Sequence, residues 1–100
     1  MLKEILAQQP ADAFARYGLA MAYASEGDAA TAVAEFGRLL AEHPDYTPGY
    51  FMAAQTLVKA ARIEEAKARL REGVASARKT GNQHALGEMQ QLLDELEEDD

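Results

Sequence analysis

Four consecutive residues near the middle of the sequence carry side chains that could perform catalysis or bind a metal. They are Glu42, His43, Pro44 and Asp45. A carboxylate beside an imidazole can act as a general acid–base pair, and His with Asp or Glu can coordinate a divalent cation. The same segment could instead end one helix and begin the next, because Pro cannot continue a helix. The elements on either side decide between these interpretations.

Those elements are predicted to be helices. Apolar residues recur at three- and four-residue spacing along almost the whole chain, and no stretch keeps a period of two, which indicates an all-α fold. The pattern is interrupted at Pro10, Gly27-Asp28, Pro44 and Thr80-Gly81-Asn82, with a weaker break near Ala61-Arg62. We therefore predict helices over residues 2–8, 12–26, 29–42, 47–60, 63–79 and 83–97.

Several residues at these breaks have a local role in ending or starting a helix. Gly27 can adopt the positive φ that ends a helix, and Asp28 can accept hydrogen bonds from the first backbone N–H groups of the next one. Asp12 and Asn82 are predicted N-caps of the same kind. His43 falls at the end of the helix over 29–42, so this pattern favours the interpretation of Glu42–Asp45 as a connection between helices.

Composition narrows the classes of function. A chain of 100 residues suits one domain with a modest core. The net charge of −7 argues against nucleic acid as a partner, because phosphate binding requires a basic surface. The absence of Cys excludes disulfides, thiolate zinc sites and cysteine nucleophiles. No apolar run approaches the length of a membrane span, and the N-terminus lacks a signal-peptide pattern, so we expect a cytoplasmic protein and no membrane contact.

The sequence also repeats with a period of 34 residues, the distance between Pro10 and Pro44. The same shift places Tyr17 on Phe51. It also superposes small residues in two pairs, Ala20 with Ala54 and Ala32 with Ala66. Small residues at these positions would let paired helices approach closely, while Tyr23, Phe36, Leu57 and Leu70 would fill the space between them.

On these residues the chain resembles a tetratricopeptide repeat (TPR) protein. Residues 13–46 offer the pattern of one repeat at the matching spacings, with Arg16, Leu19-Ala20, Tyr23, Ala32, Phe36 and Pro44. Residues 47–80 offer a second, with Tyr50, Ala53-Ala54, Leu57, Ala66 and Leu70. The resemblance implies a single domain over residues 1–100, an α-solenoid of antiparallel helix pairs. Residues 2–10 would be the last helix of a partial repeat, 83–97 a C-terminal capping helix and 97–100 an acidic tail.

Three positions depart from the TPR pattern. Arg16 replaces a bulky aromatic residue, Arg78 stands where Pro is expected, and Ala61 replaces the glycine between the two helices of the second repeat. If position 61 requires a positive φ, alanine there costs up to about 1 kcal/mol.

The resemblance also implies a concave groove that holds an extended peptide or a helix of a partner protein. Its predicted lining is Tyr17, Met21, Phe51, Gln55, Lys59, Ala85 and Met89. Because this groove would be largely apolar, we do not expect it to clamp acidic peptide C-termini. The alternative is that Tyr17, Met21 and Phe51 complete the core beneath the capping helix.

The predicted capping helix has an apolar face of its own, formed by Ala85, Met89, Leu92 and Leu96. This face is expected to be buried at the end of the solenoid, and alternatively it could pair with a second copy.

Charge is segregated along the C-terminal part of the chain. Residues 62–79 carry six bases and three acids, whereas residues 88–100 carry seven acids and no base. The acids either attract a basic partner, compete for a basic surface of the same molecule, or simply remain solvated.

No known catalytic motif is present: the sequence lacks HExxH, a glycine-rich phosphate loop and GxSxG. We therefore predict no enzyme activity, no cofactor and no metal. The leading hypothesis is an adaptor that binds a protein or peptide in the concave groove. The alternative is a structural module that forms a homodimer through the capping helix or the N-terminal edge.

Overall fold

The computed structural model describes Lys3 and residues 12–98, and over 12–98 the chain forms five α-helices joined by short turns. They are α1 (Ala13–Ser25), α2 (Ala29–Glu42), α3 (Thr47–Lys59), α4 (Ile63–Thr80) and α5 (Gln83–Glu98). The predicted all-α fold is confirmed, and these five helices agree with their predicted bounds to within one residue. The helix predicted over 2–8 lies outside the described residues except for Lys3, which is helical.

Three helices begin where an Asp or Asn side chain caps the backbone. The side-chain oxygens of Asp12, Asp28 and Asn82 each accept a hydrogen bond from the N–H group three residues later, at 2.9, 3.2 and 3.1 Å. These are the three predicted N-caps. Each bond satisfies one of the donors that the first turn of a helix leaves without an intrahelical partner.

Three connections use a residue in the left-handed region. Gly27 follows α1 with a φ of 84°, and Gly81 ends α4 with a φ of 73°. Ala61, between α3 and α4, has a φ of 61°. Position 61 therefore has the positive φ at which the sequence predicts a cost for alanine, and an alanine occupies a conformation that glycine adopts without steric cost.

The short turns bring each helix back beside the previous one. α1 packs on α2, α3 packs on α4, and α5 packs on α4 at the C-terminal end. α3 also packs on α2, which joins the two pairs into one array. α3 contacts α1 on one side and α5 on the other, so these three helices lie in a row. This is the TPR-like α-solenoid predicted from the sequence. Within residues 12–98, no helix combines the length and apolarity needed to cross a lipid bilayer.

The core depends on small residues where helices approach closely. Ala20, Ala32, Ala54 and Ala66 have no exposed surface, as the repeat predicts. Large side chains fill the space between helices, and Phe36, Leu57 and Leu70 are buried. Tyr23 differs from the prediction, because it is only half-buried.

Gly73 lies on α4 where both α3 and α5 pack closely against it. A Cβ atom at this position would lie 2.6 Å from Cβ of Tyr50 on α3 and would also overlap Sδ of Met89 on α5. Since real Cβ contacts are longer than this, Gly73 is required for α3 and α5 to pack against α4 as they do.

Arg16, at the position where the TPR pattern has a bulky aromatic residue, is buried as well. Its guanidinium Nη1 donates to Glu35 Oε2 on α2 at 2.7 Å, and both side chains are largely shielded from solvent. The charged pair therefore joins α1 to α2 where aromatic packing would otherwise do so. Removing either partner would leave a charge in a shielded site.

Candidate functional site

The segment Glu42–Asp45 is a turn in the structure. Glu42 is the last residue of α2, and His43 caps that helix, with its backbone N–H donating to Leu39 O at 2.7 Å. His43 O then accepts the N–H of Tyr46 at 3.0 Å. Over residues 12–98, no group of three or more His, Asp or Glu side chains is arranged to hold a metal ion. The residues that could have formed a reaction centre instead connect two helices.

The same turn also fixes α3 and α4. The Tyr50 hydroxyl on α3 donates to Pro44 O at 2.7 Å, and Lys79 Nζ at the end of α4 lies 3.5 Å from Asp45 Oδ1. Burial raises the pKa of Tyr50 above its usual value of 10.0; the Glu72 carboxylate raises it further, and the Arg69 cation opposes the increase. Tyr50 thus stays protonated and serves as a hydrogen-bond donor to the turn.

The row of α1, α3 and α5 forms a second surface, and most of the predicted groove residues lie on it. Tyr17, Met21, Phe51, Gln55 and Ala85 are half-buried, and Lys59 is exposed at the C-terminal end of α3. None of these six is fully enclosed.

Three adjoining clefts follow this surface. The first, of about 330 Å³, lies between α1 and α3 and is lined in part by Met21, Met52 and Lys59. The second, of about 220 Å³, is lined in part by Tyr17, Phe51 and Ala85. The third, of about 280 Å³, separates α3 from α5. We refer to the whole as the groove, which is lined by Tyr17, Met21, Phe51, Met52, Gln55, Lys59, Ala85, Glu88, Leu92 and Glu95.

Tyr17 belongs to both the groove and the core. Its ring packs edge-on against Phe36, with centroids 6.3 Å apart, and lies 5.4 Å from the ring of Tyr46. Burial raises the pKa of Tyr17 above 10.0, and the neighbouring Tyr46 raises it further. Phe51, by contrast, lines two of the clefts, so it is the aromatic residue most clearly presented to the groove.

Met89 is a correction to the predicted lining. It has no exposed surface and packs against Gly73, so it is a residue of the core and cannot touch a molecule in the groove. The reason is the rotational orientation of α5. The space beside Gly73 draws Met89 inward, and the face of α5 that meets the groove carries Ala85, Glu88 and Leu92 instead.

The groove therefore includes residues that the sequence did not identify. Met52 lines two clefts, and Glu88 and Glu95 bring two carboxylates to the α5 side. The spacing of 85, 88, 92 and 95 is that of one helical face, so the pattern was present in the sequence, but nothing in it distinguished this face from the more apolar neighbouring one.

The apolar face predicted on α5 divides in the structure, because Ala85 and Leu92 line the groove whereas the other members turn inward. Met89, Leu93 and Leu96 are buried, and α5 packs extensively on α4. These side chains are therefore not available to pair with a second copy while α5 is docked on α4. Homodimerisation through the N-terminal edge concerns the region before residue 12, of which only Lys3 is described.

The fold defines the chain as an α-solenoid protein made of antiparallel helix pairs. More specifically, the chain belongs to the TPR family, because the sequence profile of the tetratricopeptide repeat matches residues 23–92. TPR domains mediate protein–protein interactions and are typically not enzymes.

Relatives of known sequence and structure agree. A TPR repeat-containing protein of Pseudomonas aeruginosa is 28% identical over 96 residues, which is 96% of this chain and 91% of that protein. The crystal structure of a TPR domain protein from Salinibacter ruber has a TM-score of 0.79 and 30% identity, covering 86% of this chain and 96% of that one. A solution structure of a protein from Bordetella parapertussis has a TM-score of 0.84 and 25% identity, covering 99% of this chain and 86% of that one.

Proposed function

We propose that this chain is a protein–protein interaction module whose groove binds a peptide segment or a helix of another protein. One observation carries the proposal: Phe51 and Gln55 lie at the centre of a row of clefts, and Phe51 is only half-buried. Apolar side chains that border adjoining clefts on a surface of this kind often mark a site where another molecule binds.

Phe14 supports the same proposal from the edge of this surface. It is the large apolar side chain that is most exposed among residues 12–98, at 74%. It lies on α1 at positions i, i+3 and i+7 with Tyr17 and Met21, and so shares the face that these residues present to the groove. The apolar surface thus extends beyond the clefts.

The binding mechanism would follow from the rigidity of the helices. A preformed groove avoids the entropy cost of ordering a binding site, and burial of apolar surface supplies the favourable free energy that must exceed the remaining cost of association. Met21 and Met52 can adjust to different side chains because their thioethers are flexible and polarisable. Gln55 and Lys59 supply the polar contacts that would fix the orientation of the bound segment.

The residues first considered for catalysis or metal binding have structural roles, which is consistent with an interaction module. Glu42 and His43 end a helix, and Asp45 faces Lys79. The cytoplasmic location expected from the sequence stays a prediction.

The test uses a substitution in the groove at a residue that is only half-buried. Random 12-residue peptides displayed on phage would be selected against the whole chain, and the Kd of the selected peptides measured by fluorescence anisotropy. Phe51→Ala should weaken binding at least about tenfold if Phe51 is a hot-spot residue of the interface, since truncation of such a residue costs about 2 kcal/mol or more. Tyr17→Ala is less informative, since Tyr17 also packs on Phe36.

The matched control is Leu86→Ala, which shortens another half-buried apolar residue that does not line the groove. Circular dichroism would establish that both variants keep the wild-type helix content. Selected peptides that bind Phe51→Ala as tightly as the wild-type chain would refute the groove. If light scattering detects a dimer at micromolar concentration and Phe51→Ala abolishes it, the groove serves self-association and not peptide binding.

A further inference from the structure

The acidic residues of α5 face different surroundings. Glu97 points towards α4, where Arg71 Nη2 lies 3.3 Å from its carboxylate, and Asp94 accepts a hydrogen bond from Gln90 at 2.9 Å. Glu88 and Glu95 instead line the groove beside Phe51 and Gln55. Part of the acidic stretch thus meets the basic surface of the same molecule, and part of it is presented to whatever occupies the groove.

The two groove carboxylates have weak partners of their own. Glu88 lies 3.3 Å from Nε2 of His84, and Glu95 accepts from the side-chain amide of Gln91 at 3.4 Å. In the segment from residue 12 to 98, neither carboxylate is paired with a Lys or an Arg. The other titratable groups that line the clefts are Lys59, at the C-terminal end of α3, Tyr17 and His84 itself.

The side that α1 presents to the groove is apolar, since Phe14, Tyr17 and Met21 bring no charge to it. Lys59 of α3 brings one cation to the cleft between α1 and α3. The groove is therefore polarised, with an apolar side on α1 and two carboxylates on α5.

We propose that the groove selects a basic amphipathic segment, one whose apolar side chains fill the clefts beside α1 and α3 and whose Lys or Arg side chains face Glu88 and Glu95. This inference rests on the proposed function of the groove. Charge complementarity supports it in two ways. The local carboxylates offer contacts for cations, and the net charge of −7 attracts a basic partner over longer distances and repels an acidic one.

The first arm of the test asks which peptides are selected. The probe is the same phage-displayed library of random 12-residue peptides, and the readout is the Lys and Arg content of the sequences whose binding depends on Phe51. We expect this content to exceed that of the unselected library. Selected peptides without such an excess, or with an excess of Asp and Glu, would overturn the inference while leaving peptide binding in place.

The second arm separates local contacts from net charge. The variant Glu88→Gln/Glu95→Gln removes both groove carboxylates, and Asp94→Asn/Glu97→Gln removes two charges from the same helix outside the groove. The groove variant should raise the Kd of a basic peptide about 3- to 20-fold, because each partly exposed ion pair contributes a modest stabilisation. The control variant should change it less than twofold. Raising the salt concentration should weaken wild-type binding more than that of the groove variant.

Equal effects of the two double variants would overturn the inference, since net charge alone would then explain the preference. Binding that is lost in Phe51→Ala but unchanged in Glu88→Gln/Glu95→Gln would overturn this inference alone. The absence of any peptide whose binding depends on Phe51 would overturn the proposed function and the inference with it.

Discussion

Ala61 lies in the turn between α3 and α4, with a φ of 61° and an exposed side chain. The left-handed region costs a residue with a Cβ atom about 1–2 kcal/mol, whereas glycine adopts it freely. Replacing Ala61 by Gly removes this cost and buries no less apolar surface, because the methyl group is already in solvent. The substitution also makes the unfolded chain more flexible, which opposes the gain by about 0.4–1 kcal/mol.

The net expectation for Ala61→Gly is an increase in the free energy of unfolding of about 0.5–1 kcal/mol. For a domain of this size, 1 kcal/mol corresponds to a change in Tm of about 4–8 °C, so the variant should melt about 2–8 °C higher. Urea denaturation followed by circular dichroism at 222 nm would give the free energy, and calorimetry would give the Tm.

Two further variants control for the effect of glycine itself. Ala60→Gly, one residue earlier at a φ of −83°, adds the same flexibility without relieving strain and should lower the Tm. Gly27→Ala, at the equivalent position of the first pair, should destabilise, because its φ is 84° although a Cβ atom there would meet nothing within 4 Å. The reasoning is refuted if Ala61→Gly lowers the Tm, or if Ala60→Gly raises it equally.

Two other predictions concern the packing of α4 and the buried tyrosine. Gly73→Ala should lower the free energy of unfolding by about 1–3 kcal/mol, because its Cβ atom would collide with Tyr50 and Met89. Gly87→Ala should raise the free energy of unfolding by about 0.5–1 kcal/mol, because a Cβ atom at this position of α5 lies in open space. Urea titrations in which the two glycine variants change this free energy equally would contradict the account. The raised pKa of Tyr50 means that the unfolded chain releases its phenolic proton first. Stability should therefore fall as the pH rises above about 10, and Tyr50→Phe should reduce the slope of Tm against pH between 9 and 11; an unchanged slope would argue against the shift.

The sequence predicted the helices well because their boundaries are local properties. Asp12, Asp28 and Asn82 accept hydrogen bonds from residues only three positions away, and Gly27 acts through its own φ. The 34-residue repeat also predicted how the helices pair, because it identified which small residues must face each other.

The composition of the groove was harder to predict because it depends on how distant helices rotate against each other. Met89 and Glu88 are adjacent in the sequence, and which of them faces the groove is decided by the space at Gly73. The pairing of Arg16 with Glu35 joins residues 19 positions apart and likewise has no local signal. The sequence showed only that Arg16 departs from the usual aromatic residue.

The contact between Gly73 and Met89 also has a consequence for protein engineering. α5 docks on α4 by placing one unbranched side chain into a gap left by a missing Cβ atom. The two residues therefore form a matched pair that belongs to the junction rather than to either helix. Transplanting α5 onto the last helix of another repeat array should give a stable junction where that helix has glycine opposite the methionine, and a weaker one where it has alanine or any larger residue.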